Sequence, residues 1–496
     1  MNRTTLSLIA AVAALAAVTG FAAAGTPGGD DGPAKAAAQL PVERSSLLCP
    51  EPSTSDLAET AYTSYTPASK GTEEAGKAEL LPAETGAGDT DSSKSRSKKP
   101  KPVVTPKEPG KPVAGEATGA DAPALVGTAD GALAPGWTVQ QTTTVEVGTG
   151  RGLLGVNCSA PDTDFYFPGA STAEDRSDYI HLTNPDDEAA VVDVQLYGPD
   201  GAIKSDVGEG IQIAPHASVP VLLSTLTEKP YTNLTLHVTA RSGRVAAAVS
   251  AADDKLGGDW LPAAADPAAS LVLPGIPKDA TSVRLVAFAP GQDDADLKVQ
   301  LATSSGKISP AGHDTLHVKS GMTAAADLGD VTRGDAGSLI LTPTEDSVPV
   351  VAALRVTRGK GADQETAFIP ATRDIGARAT VADNRAKGST LALTAPGAAA
   401  KVKVTASAGA DGGTATSKEY TVKAGTTLSV TPPVPAGLKG PYALTVEPVS
   451  GGQVYGSRML EEKQDGVPAF TIQTLPDDRG TVSVPEADED LSVLQK

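Results

Sequence analysis

Three runs decide the fold class: SDYIHLTNPDDEAAVVDVQLYGPDG (177–201), IQIAPHASVPVLL (211–223) and NLTLHVTARSGRVAAAVSA (233–251). In an extended chain Val192, Val194 and Leu196 share one face, and Asp193, Gln195 and Tyr197 the other. Leu234, Leu236 and Val238 alternate with Thr235, His237 and Thr239 in the same way, and Ile180 and Leu182 open the pattern. Such period-two alternation marks a half-buried strand. NPDDE, GPDG and RSGR between the runs are turn chemistry: Pro presets φ, Asn and Asp bond their own backbone, and Gly takes positive φ. Short strands in close succession predict a sandwich of two antiparallel sheets.

The plan recurs in SVRLVAFAPGQDDADLKVQLATSSG (282–306) and STLALTAPGAAAKVKVTASAG (389–409). Ile180, Val283 and Leu391 step by about 105 residues, as do Ile213, Val318 and Val422. The chain is therefore expected to be all-β, with tandem immunoglobulin-like β-sandwich domains over 166–265, 270–372 and 378–485. The last carries an acidic C-terminal tail. Two aromatic stretches, DWLPAAADP around Trp260 and AFIPATRD around Phe368, read as linkers in a row of modules.

Upstream, residues 42–165 read as one irregular N-terminal β domain. A Lys-, Pro-, Gly- and Ser-rich stretch, 86–122, interrupts it and is expected to be a disordered insertion. Its basic cluster (Lys94, Arg96, Lys98, Lys99, Lys101) is either a solvated loop or a contact for an anionic surface. Residues 1–25 place Arg3 before a long apolar run, the pattern of a signal peptide or a retained N-terminal membrane anchor. An even count of two cysteines, Cys49 and Cys158, in an exported chain implies one disulfide. Phe165, Tyr166, Phe167 and Trp260 are expected either to fill a domain junction or to form a ligand patch.

Net charge is −19, from 41 basic and 60 acidic residues, which repels phosphate backbones and argues against nucleic acid as a partner. Aromatics are only 3%, so the cores must be Val, Leu, Ile and Ala packing. GxSxG, HExxH and the P-loop are absent. His313 and His317 in HDTLH lack a helix and an intervening Glu. The acidic turns NPDDE and GQDDAD have PGAAAK as their counterpart in the third copy, which argues against calcium. SSGK (304–307) lacks the partner motifs of a penicillin-binding enzyme. His181, His216 and His237 read as exposed polar positions. No catalytic, cofactor-binding or metal-binding residue is assigned, and no cofactor is expected.

PVERSSLLCPEP (41–52), VNCSAPDTDFYFPGAS (156–171) and YIHLTNPDDEAAVVDVQLYGPDG (179–201) resemble an actinobacterial, streptomycete-like family catalogued only as a domain of unknown function. The resemblance implies a secreted or membrane-anchored protein. Its members are commonly encoded near a large membrane glycosyltransferase, which implies a link to envelope glycan assembly, and the family supplies no catalytic residues. The function expected is a non-enzymatic, exported cell-envelope scaffold or binding protein. It would be secreted or held at the extracytoplasmic face of the membrane, with an envelope protein or glycan as partner. The alternatives are an array of carbohydrate-binding modules presenting Trp137 and Trp260, and an enzyme housed in 42–165.

Overall fold

The computed structural model describes residues 38–69, 75–85, 100–464 and 467–484. The leader 1–25, the acidic tail and most of the basic cluster lie outside the described residues. Ala38–Pro41 and Thr481–Val484 pair with each other, and residues 38–40 and 482–484 belong to a unit of their own. Residues 41–481 form the other unit.

Strands dominate that unit, and its helical turns among the described residues are short 3-10 segments. Val192, Val194, Leu196, Leu234, Leu236 and Val238 are all buried in one core, as their alternation requires. The chain builds four sandwich modules. In each, one sheet repeats a four-strand order, with a further strand, Glu84–Thr85, added parallel to Ala217–Leu222 in the second module. The first module reads Val113–Thr118, Glu59–Tyr65, Thr138–Val145, Gly152–Asn157. The second reads Ala217–Leu222, Tyr179–Thr183, Ala246–Asp253, Gly257–Leu261. The third reads Thr323–Gly329, Ala280–Phe288, Val351–Arg358, Glu365–Pro370. The fourth reads Thr426–Val430, Ser389–Ala395, Tyr455–Gln464, Val467–Thr474. A second sheet closes each module, and four separate apolar cores result.

Two expectations are corrected. The region 42–165 is a fourth copy of the same plan, not an irregular domain. Within 86–122, Val113–Thr118 is the edge strand of the first module, and Leu80 and Val104 bridge antiparallel. The backbone donors and acceptors on its inner side are thus taken up by Glu59–Tyr65, whatever its polar composition. Residues 86–99 lie outside the described residues.

The modules also do not stand in a row. Their last strands, Gly152–Asn157, Gly257–Leu261, Glu365–Pro370 and Val467–Thr474, pack in that order, and the fourth packs back against the first. The result is a closed ring. The expected linkers around Trp260 and Phe368 are these closing strands. The last three each carry an aromatic at the fourth position and insert it into the preceding module. Trp260 packs on Ala58, Val145, Leu154 and Val156 of the first. Phe368 joins the core of the second, and Phe470 the core of the third. The equivalent position of the first module is Gly155. A Cβ there would lie 2.5 Å from Gln473 Nε2 and 2.6 Å from Thr471 Cγ2, so any larger residue must displace both side chains.

Candidate functional site: the cavity at the four-module junction

The closing strands converge at both ends. At their starts, Arg151 Nη2 donates to the Ala362 and Gln364 carbonyls at 3.0 Å and lies 3.6 Å from Glu365 Oε1. Gly257 sits here at φ +73°, where a Cβ would meet the Arg151 carbonyl at 2.4 Å and Glu365 Oε2 at 2.7 Å. Only glycine serves where three modules approach this closely. Midway, Asp259 Oδ1 accepts from Gly155 N–H at 2.9 Å, and both its oxygens lie 3.0 Å from Thr471 Oγ1. Gln473 Nε2 donates to Thr471 Oγ1 at 2.7 Å. This chain of bonds ties the first, second and fourth modules across the axis.

Burial raises the Asp259 carboxyl well above its usual range, with Glu365 adding to the rise. A carboxyl so placed is isosteric with an amide. Asp259→Asn should therefore fold with little loss. Asp259→Ala should lose about 2 kcal/mol, because the Gly155 N–H and the Thr471 hydroxyl lose their buried partner. Urea denaturation of both variants checks this, and equal losses would refute it.

Burial likewise pushes Glu365 from 4.5 up to about 7, against the pull of Arg151. The folded chain keeps a proton that the unfolded chain releases between those values. Stability from this group is therefore full below about pH 4.5 and falls as pH rises to about 7. Glu365→Gln, neutral throughout, should match the parent at pH 4.5. It should exceed it by up to about 3 kcal/mol at pH 8. Thermal melts at the two pH values decide; a gain of equal size at both would refute the assignment.

At their far ends the closing strands and the residues just beyond them line a half-open cavity of about 450 Å³. Val156, Asn157 and Cys158 come from the first module, Pro262 and Ala263 from the second, Ala371 and Thr372 from the third, Gln473 and Thr474 from the fourth. Trp137, Phe165 and Ala246–Ala248 supply apolar wall. Trp137 is held by its Nε1–H, which donates to Ser64 Oγ at 2.9 Å.

The disulfide joins Cys49 to Cys158 across 109 residues and both sulfurs are buried. It holds Leu47–Leu48 and Cys158–Ser159, four wall residues, against each other, with Leu48 and Ser159 also paired through backbone bonds.

His181, expected to be exposed, is 6% exposed and lines the cavity. Alternation does put it on the outer face of its sheet, but the ring covers that face. Its Nε2 lies 3.2 Å from Ser250 Oγ, its ring meets Trp260 edge-on at 5.2 Å, and its Nδ1 has no protein partner. Burial drives its pKa down to about 4, so the imidazole is neutral at physiological pH. Gln473 Oε1, on a residue 2% exposed, and Asn157 Oδ1 also have no protein partner. Sequence reading missed Asn157 and Gln473 and placed His181 in solvent; only Asn157, next to Cys158, carried a local signal.

The expected aromatic patch is divided. Phe165 and Phe167 belong to the core of the second module. Tyr166 stacks on His237 with centroids 4.2 Å apart and tilts against Phe288 of the third module at 6.3 Å, so it fills a junction. Trp260 is 1% exposed and cannot stack on an incoming ligand, and Trp137 is 5% exposed. The exposed aromatic platform of a carbohydrate-binding array is thus not formed by these rings. In the acidic turns, Arg244 holds Asp186, and His216 Nε2 lies 2.8 Å from Asp187 Oδ1. His317 pairs with Asp296 at 2.9 Å, and His313 stands apart in a turn. Among the described residues no group of three or more His, Cys, Asp or Glu could hold a metal ion. None of their helices is long and apolar enough to cross a membrane.

The sequence profile of a family of unknown function (DUF5719) matches residues 113–433, reaching into all four modules. No curated protein matches the chain.

Proposed function

The chain belongs to that family of unknown function, and from this premise we propose that it is a non-enzymatic binding protein of the cell envelope. It is exported by its N-terminal segment, which is cleaved or kept as an anchor, and acts outside the cytoplasm on an envelope protein or glycan. The observation that carries this reading is the closed ring. Four modules are locked by buried aromatics and a disulfide around a cavity whose walls are fixed side chains. Such a ring suits holding a ligand in place, and a disulfide suits an oxidising compartment.

Crosslinking the tagged full chain in intact cells, followed by identification of the captured envelope component, tests it. Capture should be saturable and lost on reduction. Recovery of the chain in the cytoplasm, or turnover of the captured molecule, would overturn the reading.

A further inference from the structure

We propose that the ring opens and recloses at one seam, the joint between the fourth and first modules, and that the buried guanidinium of Arg458 biases this joint toward opening. Opening there widens the junction cavity, because Asn157, Cys158 and Ser159 line it from one side of the seam and Gln473 and Thr474 from the other. The device stands whatever the cavity holds.

Three of the four joints lie between modules consecutive in the chain. The fourth joins the last module to the first, so the backbone does not cross it, and the one disulfide lies within the first module. The other joints are sealed by Trp260, Phe368 and Phe470, where this one has Gly155. Strand register puts Tyr65, Thr63, Gln140, Thr142, Gly155 and Leu153 on one face of the first module. Both ends of that face meet the fourth module through apolar contacts: Leu153 packs on Leu460 and Ala469, and Tyr65 on Ala382 and Ala443. Between those ends, Thr63 Oγ1, Gln140 Oε1 and Thr142 Oγ1 are buried without a protein partner. On the fourth module Arg458 pairs across the ladder with Gln473, and Gln473 Oε1 is unpartnered too. Arg458 lies two residues before Leu460, and its Nη2 donates to the Ala382 carbonyl at 3.3 Å, which sets it between the same two apolar ends.

Arg458 is fully buried, and its Nε and Nη1 have no partner. Asp383, the carboxylate that acts on it most, is itself paired with Arg385 at 3.4 Å. Burial brings the guanidinium down to about 10, so it is still charged at neutral pH. Arg358, at the joint between the third and fourth modules, has the opposite surroundings. It donates to Asp279 at 3.0 and 2.7 Å, pairs with Glu461 and lies over the Phe470 ring at 4.7 Å. Among the described residues no buried side-chain polar atom of the third module lacks a partner. At the joint between the first and second modules the unpaired groups, Trp260 Nε1 and His181 Nδ1, are neutral. A charge taken out of water without a counter-charge disfavours the closed state strongly. Opening this one joint returns water to Arg458 and to Thr63, Gln140, Thr142 and Gln473 together. What holds the seam shut is the two apolar ends, the Thr471–Asp259 contact, and bonds such as Val42 N–H to the Gly480 carbonyl and Arg378 Nη1–H to Ser69 Oγ, both at 3.1 Å. A joint so balanced opens locally while the modules stay folded.

Thiol labelling of the full chain, with its disulfide intact and no reductant present, reads the opening. Single substitutions place the reporter: Ala469→Cys at the seam, Ala58→Cys at the joint between the first and second modules, and Ala353→Cys at the joint between the second and third. All three alanines are buried to a similar degree. N-ethylmaleimide is the reagent and intact mass the readout, with each rate taken relative to that of the same variant unfolded in urea. Ala469→Cys should label at least about tenfold faster than the other two. Adding Arg458→Met should slow labelling at the seam about tenfold and leave the other two rates unchanged. If Ala469→Cys fails to fold, Ala382→Cys reports on the same seam, and Arg458→Leu replaces Arg458→Met on the same terms. The proposal falls if the three positions label at one rate, if Ala58→Cys or Ala353→Cys labels first, or if the Arg458 variant leaves the seam rate unchanged or raises it.

Discussion

Removing the Cys49–Cys158 bridge, by Cys49→Ala with Cys158→Ala, should lower stability by about 4–5 kcal/mol. The bridge closes a span of 109 residues, and the entropy it removes from the unfolded chain grows with the logarithm of that span. The first module needs it most. Its second sheet has only three strands, Arg44–Cys49, Leu125–Asp130 and Ala78–Pro82, where the other modules use more. Its core is also the one built around two cysteines. The bridge ties the first strand of that sheet to the end of the closing strand. Losing it should loosen the cavity wall as well as the module. Urea denaturation of the oxidised chain and the double variant gives the first number. An unchanged midpoint would mean that the modules alone hold this corner.

The sandwich fold was legible because Val192, Val194 and Leu196, with Leu234, Leu236 and Val238, need only a local rule to find one face. The step of about 105 residues exposed three copies because their turns and strands keep one order. The first copy was hidden for two reasons. An insertion separates Ala78–Pro82 from Val113–Thr118, and Gly155 replaces the aromatic that marks the other closing strands. The ring itself was obscured by Pro262 and Pro370, which made the segments around Trp260 and Phe368 look like linkers. Proline is tolerated at these places because it lies at or beyond the end of an edge strand. Ring closure also explains the misplaced histidine. In a lone sandwich the outer face of a sheet is wet, and His181 would be exposed. In the ring that face meets other modules. Gln140, Gln141, Thr142 and Thr143 are all buried in succession for the same reason, which period-two reasoning cannot anticipate. The candidate site is thus a product of quaternary-like packing within one chain, assembled from residues that lie hundreds of positions apart.

Trp260→Ala should cost about 3–5 kcal/mol, the range for emptying a large aromatic site in a packed interior. Trp260 is the aromatic of the joint between the first and second modules, set among Ala58, Val145, Leu154 and Val156 with Ala248 of its own module. Small neighbours such as Ala58 and Ala248 cannot expand to fill the space. Trp260→Phe should cost much less, since the indole Nε1 has no protein acceptor to lose. The same change reaches the cavity through His181, whose ring rests edge-on against the indole. With the indole gone, water can reach the imidazole, and its pKa should climb from about 4 back toward 6.5. A titration of the His181 ring protons by NMR, run beside the denaturation curves, separates two accounts of this residue. An exposed sugar platform would lose ligand on Trp260→Ala while keeping both its stability and the His181 titration. A joint of the ring must lose stability and release His181 together.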